Sequence, residues 1–357
     1  MPVQHSDQYD NITFTVETQK VATRAKSDNK YVKYDSNIHP EQMGVFGYQA
    51  NSQTSDHTLL NDFNNQQVTF DKTQSTWEYG EPKKWEDYKD ARFFDFLAYM
   101  PYQANTANTE KQASITIQTD AAKNTETYTL SVPYNPTTYE SASPFVFDSK
   151  NAPIICALPE HREVKDADGT KKSFDHTIRF KFDQTLIGYK LLFKLDPKMG
   201  AIRQFHIKKV QITGEKIPTS GTITRNFTYN KKTQEWTASG IQWTNITLQN
   251  LTKDNPVIIP FKETVVTSTD YAQWGETFYT IPYAAFEPTI QVTYDVEMKA
   301  QDGKTIVTRE NVTSSIVLNE SNFKGFNSST TTTATIYPIR ILIQPRYLYV
   351  LTDQDAY

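Results

Sequence analysis

Apolar and polar positions alternate over short stretches along the whole chain. In Ile12-Thr13-Phe14-Thr15-Val16, the residues Ile12, Phe14 and Val16 fall on one face and the threonines on the other. A period of two marks a strand with one buried face. The same signal, or a short apolar run of similar length, recurs at 45–48, 93–99, 114–118, 127–132, 145–147 and 154–158. It resumes at 174–182, 187–195, 202–212, 222–229, 257–261, 277–283, 289–296, 306–308 and 335–351. Pro, Gly, Asn or Asp bound most of these runs, the spacing expected of β-sandwiches. Helix is scarce: residues 83–92 predict one or two turns with Trp85 and Tyr88 on one side.

Between the two series lies a charged segment, 160–173, with an Asp168-Gly169 turn; it reads as a hairpin tip or an interdomain link. The chain has 357 residues, and at about 150 per domain two domains are expected. A boundary near 165–172 gives domains of 1–168 and 169–357.

Composition strengthens the all-β reading. Apolar residues make up 37% even with tyrosine counted, below the usual ~45–50%. The chain nonetheless holds 21 Tyr, 20 Phe, 5 Trp and 47 Thr, residue types that suit a pleated, half-buried surface. The net charge of −4 argues against a broad cationic face and so against nucleic acid as a main partner. No stretch approaches a membrane span. The first residues, Met1-Pro2-Val3-Gln4-His5-Ser6-Asp7-Gln8, lack a basic and then apolar leader pattern. The expectation is an exported chain whose leader has been removed, with a cytosolic chain as the alternative.

The sequence presents no reaction from first principles. Cys156 is the single cysteine and sits in an apolar run, where it reads as a small buried hydrophobe. The glycine spacings allow neither phosphate-loop nor dinucleotide fingerprints, and the six histidines form no metal pair. Asp166-Ala167-Asp168-Gly169 reads as a hairpin turn rather than a calcium loop, because the distal ligands are missing. His176 shares a face with Phe174, Ile178 and Phe180 and reads as a hydrogen-bonded core histidine. The tryptophans read as core filling first and, at Trp236, Trp243 and Trp274, as a candidate sugar platform second. The N-x-S/T triplets at Asn11, Asn226, Asn245, Asn250, Asn311, Asn319 and Asn327 follow from Asn and Thr richness.

The order of several motifs adds to this reading. Thr23-Arg24-Ala25 follows the first strand, then come Met43-Gly44-Val45-Phe46-Gly47-Tyr48 and Trp77-Glu78-Tyr79 with Trp85. Asp95-Phe96-Leu97-Ala98-Tyr99-Met100-Pro101-Tyr102, Phe174-Asp175-His176 and Phe278-Tyr279-Thr280-Ile281-Pro282 complete the series. In this order the chain resembles the fimbrillin-like proteins of Bacteroidales, the type V pilins and their accessory subunits.

The resemblance implies two tandem transthyretin-like Greek-key β-sandwich domains. It implies no enzymatic activity and no cofactor or metal. It implies a cell-surface, outer-membrane-associated fimbrium reached through a lipid anchor on the precursor. The implied partners are other pilus subunits, with host or bacterial surface glycans and proteins as further ones. It also implies proteolysis at Arg24, displacement of the strand carrying Ile12, Phe14 and Val16, and filling of the vacated groove by another subunit's strand. An edge with unpaired backbone groups recruits such a strand readily. The candidate donor carries Ile339, Ile341, Ile343, Tyr347, Tyr349 and Leu351. Pro345 splits it, and closure of its own sandwich is the competing use. Closure would make the chain a tip, anchor or accessory subunit. A surface glycan-binding lipoprotein is the second functional reading and a secreted β-sandwich enzyme the third.

Overall fold

The computed structural model describes residues 11–20, 30–105, 112–138, 143–200, 203–261, 264–300, 302–323 and 336–344. Their strands form a ten-stranded, a nine-stranded and a four-stranded sheet. The structure is all-β, as the alternation predicts. The expected strand at 187–195 is observed as Ile187–Leu195, and that at 93–99 as Phe93–Met100. The expected turns of helix at 83–92 reduce to one 3₁₀ turn, Trp85–Asp87.

Two hydrophobic cores organise the molecule. The first gathers Phe14, Phe46, Phe96, Tyr99 and Phe180 from the ten-stranded sheet, and Tyr128, Leu130, Ile223 and Phe227 from one end of the nine-stranded sheet. Gly47 permits this packing, since a Cβ there would stand 2.8 Å from the Cβ of Phe63 and 2.9 Å from the Phe96 ring. The second core joins Tyr189, Leu191, Phe193, Phe278 and Ile341 of the four-stranded sheet to Phe205, Ile207, Ile290 and Tyr294 at the other end of the nine-stranded sheet.

One strand, Arg203–Asn230, serves both cores. Its residues Arg203 to Thr213 pair antiparallel with Thr289–Lys299, and Gly221 to Asn230 with Thr125–Tyr134. The sequence pattern suggests two strands here, 202–212 and 222–229. The polar residues between them stay in the ladder by pairing with Gln242–Leu251 through three register shifts. Such bulges absorb the change of face between cores. Gln242–Leu251 itself escapes prediction because its exposure does not alternate.

Another crossing lies at Thr185-Leu186, between Thr177–Gln184 of the ten-stranded sheet and Ile187–Leu195 of the four-stranded sheet. Ile178, Phe180 and Phe182 therefore pack in the first core, although they follow the boundary expected at 168/169. The charged segment folds back as a hairpin instead of linking cores. Glu160–Glu163 pairs with Phe93 to Phe96, and the tip closes through Gly169 N–H donating to the Asp166 carbonyl. Cys156 is fully buried, and burial pushes its thiol pKa up to about 12. It is the inert hydrophobe that the sequence suggests.

A buried ionic network ties the two sheets of the first sandwich. His57 places Nδ1 2.5 Å from Glu126 Oε2, and Nε2 2.8 Å from Asp95 Oδ2 in an ion pair bent away from hydrogen-bond geometry. Asp95 also contacts His161 Nδ1 at 2.8 Å and accepts from Trp236 Nε1 at 2.7 Å. Burial opposes the charge on His57, but contacts to both carboxylates outweigh it and raise its pKa to about 9. Burial likewise opposes the charge on Glu126, yet His57 holds its pKa down to about 2. Asp95, held by His161 and His57 against its burial, lies well below the usual carboxylate range. These shifts make stability depend on pH. The His57 contribution is complete below its ordinary 6.5 and is lost as pH rises through about 9. The Glu126 contribution is complete above its ordinary 4.5 and is lost as pH falls through about 2. Urea unfolding followed across pH is expected to show the network's largest stabilisation between about 4.5 and 6.5. Replacing His57 with Gln should flatten the alkaline limb.

Candidate assembly strands

The first strand, Thr13–Gln19, lies parallel to Thr177–Gln184, with Thr13 opposite Thr177 and Thr18 opposite Phe182. Pairing of two strands so distant in sequence cannot arise from a hairpin. On its outer side Glu17 to Gln19 pair with Tyr31–Lys33, and the Tyr34 N–H donates to the Val16 carbonyl. Withdrawal of the first strand would leave Thr177–Gln184 as an open edge beside Ile154–Cys156.

Its side chains fill the floor of that groove. Ile12, Phe14 and Val16 are 1%, 4% and 6% exposed. The Phe14 ring stacks on Phe180 at 5.9 Å and meets Phe63, Tyr79 and Phe96 edge-on at 5.5–6.1 Å. Burial of three such side chains contributes about 5–8 kcal/mol. The strand's start is pinned by Ile12 N–H donating to the Lys83 carbonyl and by Tyr79 OH donating to the Ile12 carbonyl, each at 2.8 Å. Burial pushes the Tyr79 phenol up to about 12, so it stays a donor. Tyr79 and Phe180 escape notice in the sequence as floor residues, although the alternation through Phe180 carries the signal. Arg24 lies outside the described residues.

The C-terminal strand, Ile336–Ile343, is laid in the same manner on the second core. It runs parallel to Ile187–Leu195, from Gly188 opposite Ile336 to Leu195 opposite Ile343. Ile339, Ile341 and Ile343 are 5%, 8% and 6% exposed, while Leu342 faces out. Gln344 Nε2 donates to Asp196 Oδ2 at 2.6 Å and fixes the strand's end. Pro338 is tolerated because an edge strand can lack a ladder donor. Tyr347, Tyr349 and Leu351 lie outside the described residues.

The candidate sugar platform is not assembled. Trp274 is fully buried in the second core and stacks on Phe261 at 4.3 Å. Trp236 and Trp243 pack against the first core, with their indole N–H groups held by Asp95 and the Thr185 carbonyl. Nor is His176 a satisfied core histidine. It precedes its strand, half-buried, with Nδ1 unpartnered.

No protein-family model and no curated protein matches the chain. Solved structures similar to it include a fimbrial protein from Bacteroides vulgatus, at 15% identity and a TM-score of 0.47, covering 93% of this chain and 95% of that one. A fimbrial protein from Bacteroides ovatus is 12% identical with a TM-score of 0.39, over 94% of this chain and 49% of the other. The fimbrial anchor protein Mfa2 from Porphyromonas gingivalis is 10% identical with a TM-score of 0.26, over 92% and 90% of the two chains. Among the described residues, no helix is long and apolar enough to cross a membrane.

Because each terminal strand seals a separate core, truncations in the two should act independently. Phe14→Ala is expected to cost about 3–5 kcal/mol and Ile341→Ala about 2–5 kcal/mol. The double variant should sum them to within about 0.5 kcal/mol in denaturant unfolding.

Proposed function

We propose that this chain is a cell-surface fimbrial subunit that joins its neighbours by strand exchange. The observation that carries the reading is the parallel seating of Thr13–Gln19, which covers one edge of the first sandwich and fills its core with Ile12, Phe14 and Val16. In this reading, cleavage after Arg24 releases the strand. The exposed edge of Thr177–Gln184 and the ring of Phe180 then accept a strand from another subunit. Backbone hydrogen bonds would give affinity and alternating side chains would give fit.

The second terminal strand supports an accessory or tip role within that reading. Ile339, Ile341 and Ile343 are engaged in their own second core, which favours their closing role over donation. Tyr347, Tyr349 and Leu351 remain the candidate donor side chains. Attachment to the outer membrane through a lipid on the precursor belongs to the same proposal. So do two tandem transthyretin-like domains.

Removal of residues 1–24 is the direct test. The shortened chain is expected to oligomerise or to lose stability, read by size-exclusion chromatography and thermal unfolding. A monomer as stable as the intact chain would sink strand exchange at this groove. Removal of residues 344–357 should leave a folded monomer; if it also stops polymer growth, the donor lies beyond Gln344.

A further inference from the structure

Beside the first sandwich's hairpin lies a cavity of about 490 Å³. Its apolar lining is Trp85, Tyr88, Val164, Phe174 and His176, and its charged lining is Lys89, Lys165, Lys171, Lys172 and Glu86. The aromatic groups support one another: Trp85 meets Phe174 edge-on at 5.0 Å, and Phe174 lies 4.5 Å from the His176 ring. Trp85 Nε1 and His176 Nδ1 are themselves buried and unpartnered, so these residues line the cavity with their carbon edges and faces rather than with those atoms.

The charges are only partly compensated. Lys172 Nζ sits 2.6 Å from Glu163 and 3.5 Å from Asp166. Lys171 is 78% exposed in its side chain and 3.6 Å from Glu86. Lys165 donates to the Lys89 carbonyl, and neither Lys89 nor Lys165 has a carboxylate partner among the described contacts. Four lysines against Glu86, Glu163 and Asp166 leave a small local excess of positive charge, carried by Lys89 and Lys165, in a chain of net charge −4. An uncompensated cation beside a cavity favours an anionic ligand group.

We infer that this cavity binds an acidic saccharide, one or two rings bearing a carboxylate or sulfate. The size falls within the range of small-ligand sites. Phe174, His176 and Tyr88, each half-buried, offer apolar faces for the C–H face of a sugar ring. The lysines offer donors to its acidic group. A planar base is disfavoured because Trp85 and Phe174 stand at 82°, so they do not form a parallel-walled slot.

The test is calorimetric titration of the full chain with a sulfated, uronate-containing disaccharide, with a neutral disaccharide, a nucleoside monophosphate and a glutamate-rich hexapeptide run alongside. The acidic disaccharide should bind, more weakly at higher salt. Exchanging both exposed lysines (Lys89→Gln with Lys171→Gln) should raise its Kd about tenfold or more, equivalent to about 1.4 kcal/mol. Phe174→Leu should also weaken it in a chain that circular dichroism shows to be folded. No binding of the acidic disaccharide, binding indifferent to the lysine pair, or equal binding of the neutral sugar, nucleotide or peptide would overturn the assignment. None of these outcomes depends on whether residues 1–24 can be displaced, so the site stands or falls apart from strand exchange.

Discussion

The structure turns on the covering of two strand edges by the ends of the described chain. Thr177–Gln184 and Ile187–Leu195 follow one another almost directly, yet they serve different sheets. Each is left with one side that no neighbour in sequence can reach. Thr13–Gln19 closes the first and Ile336–Ile343 closes the second, both in parallel register and both inserting alternate large side chains. A buried sheet edge without a partner carries the cost of unsatisfied backbone groups as well as exposed apolar floor. The two terminal strands are therefore structural parts of cores to which they are joined only through long connections.

The first core is also cross-linked by buried charge. Its two sheets are bound by the network around His57, Asp95 and Glu126, with Trp236 reaching across from the nine-stranded sheet to Asp95. Removing one member would strand a buried charge, which is far costlier than the net worth of the pair. Arg225, buried beside Asp183 at 2.9 Å, adds a second cross-link between the same sheets. The His57 network lies on Phe93–Met100, Thr125–Tyr134 and Glu160–Glu163, away from Thr13–Gln19, whereas Asp183 belongs to Thr177–Gln184, the strand that Thr13–Gln19 covers. The hairpin that shapes the lysine-rich cavity is anchored to that interior by Glu160–Glu163.

Much of this was legible in the sequence, and the failures have physical causes. The buried faces of the strand bearing Phe14 and the strand bearing Ile341 followed from alternation alone. Gln242–Leu251 did not, because only its last residue is buried and no period of two develops. Glu160–Glu163 is charged, so its sequence left a hairpin tip and an interdomain link equally open; only its pairing with the apolar strand Phe93–Met100 selects the hairpin. The long Arg203–Asn230 strand was divided in two because its middle crosses between cores and changes partner. Trp274 and Trp243 looked alike in sequence; only packing separates a sealed core residue from a half-buried one.

By itself the sequence determined the all-β character, the facing of the terminal isoleucines and Phe14, and the inert setting of Cys156. These depend on the pleat and on local apolar density, which are written within a few residues. Tertiary structure alone decided which strands the two ends cover, and that the chain passes between cores at Thr185-Leu186 rather than at the charged hairpin. It alone placed His57 between two carboxylates and grouped four lysines around Trp85 and Phe174. Those arrangements join residues far apart along the chain. Their energies come from parallel pairing, desolvation and ring packing that no local pattern encodes.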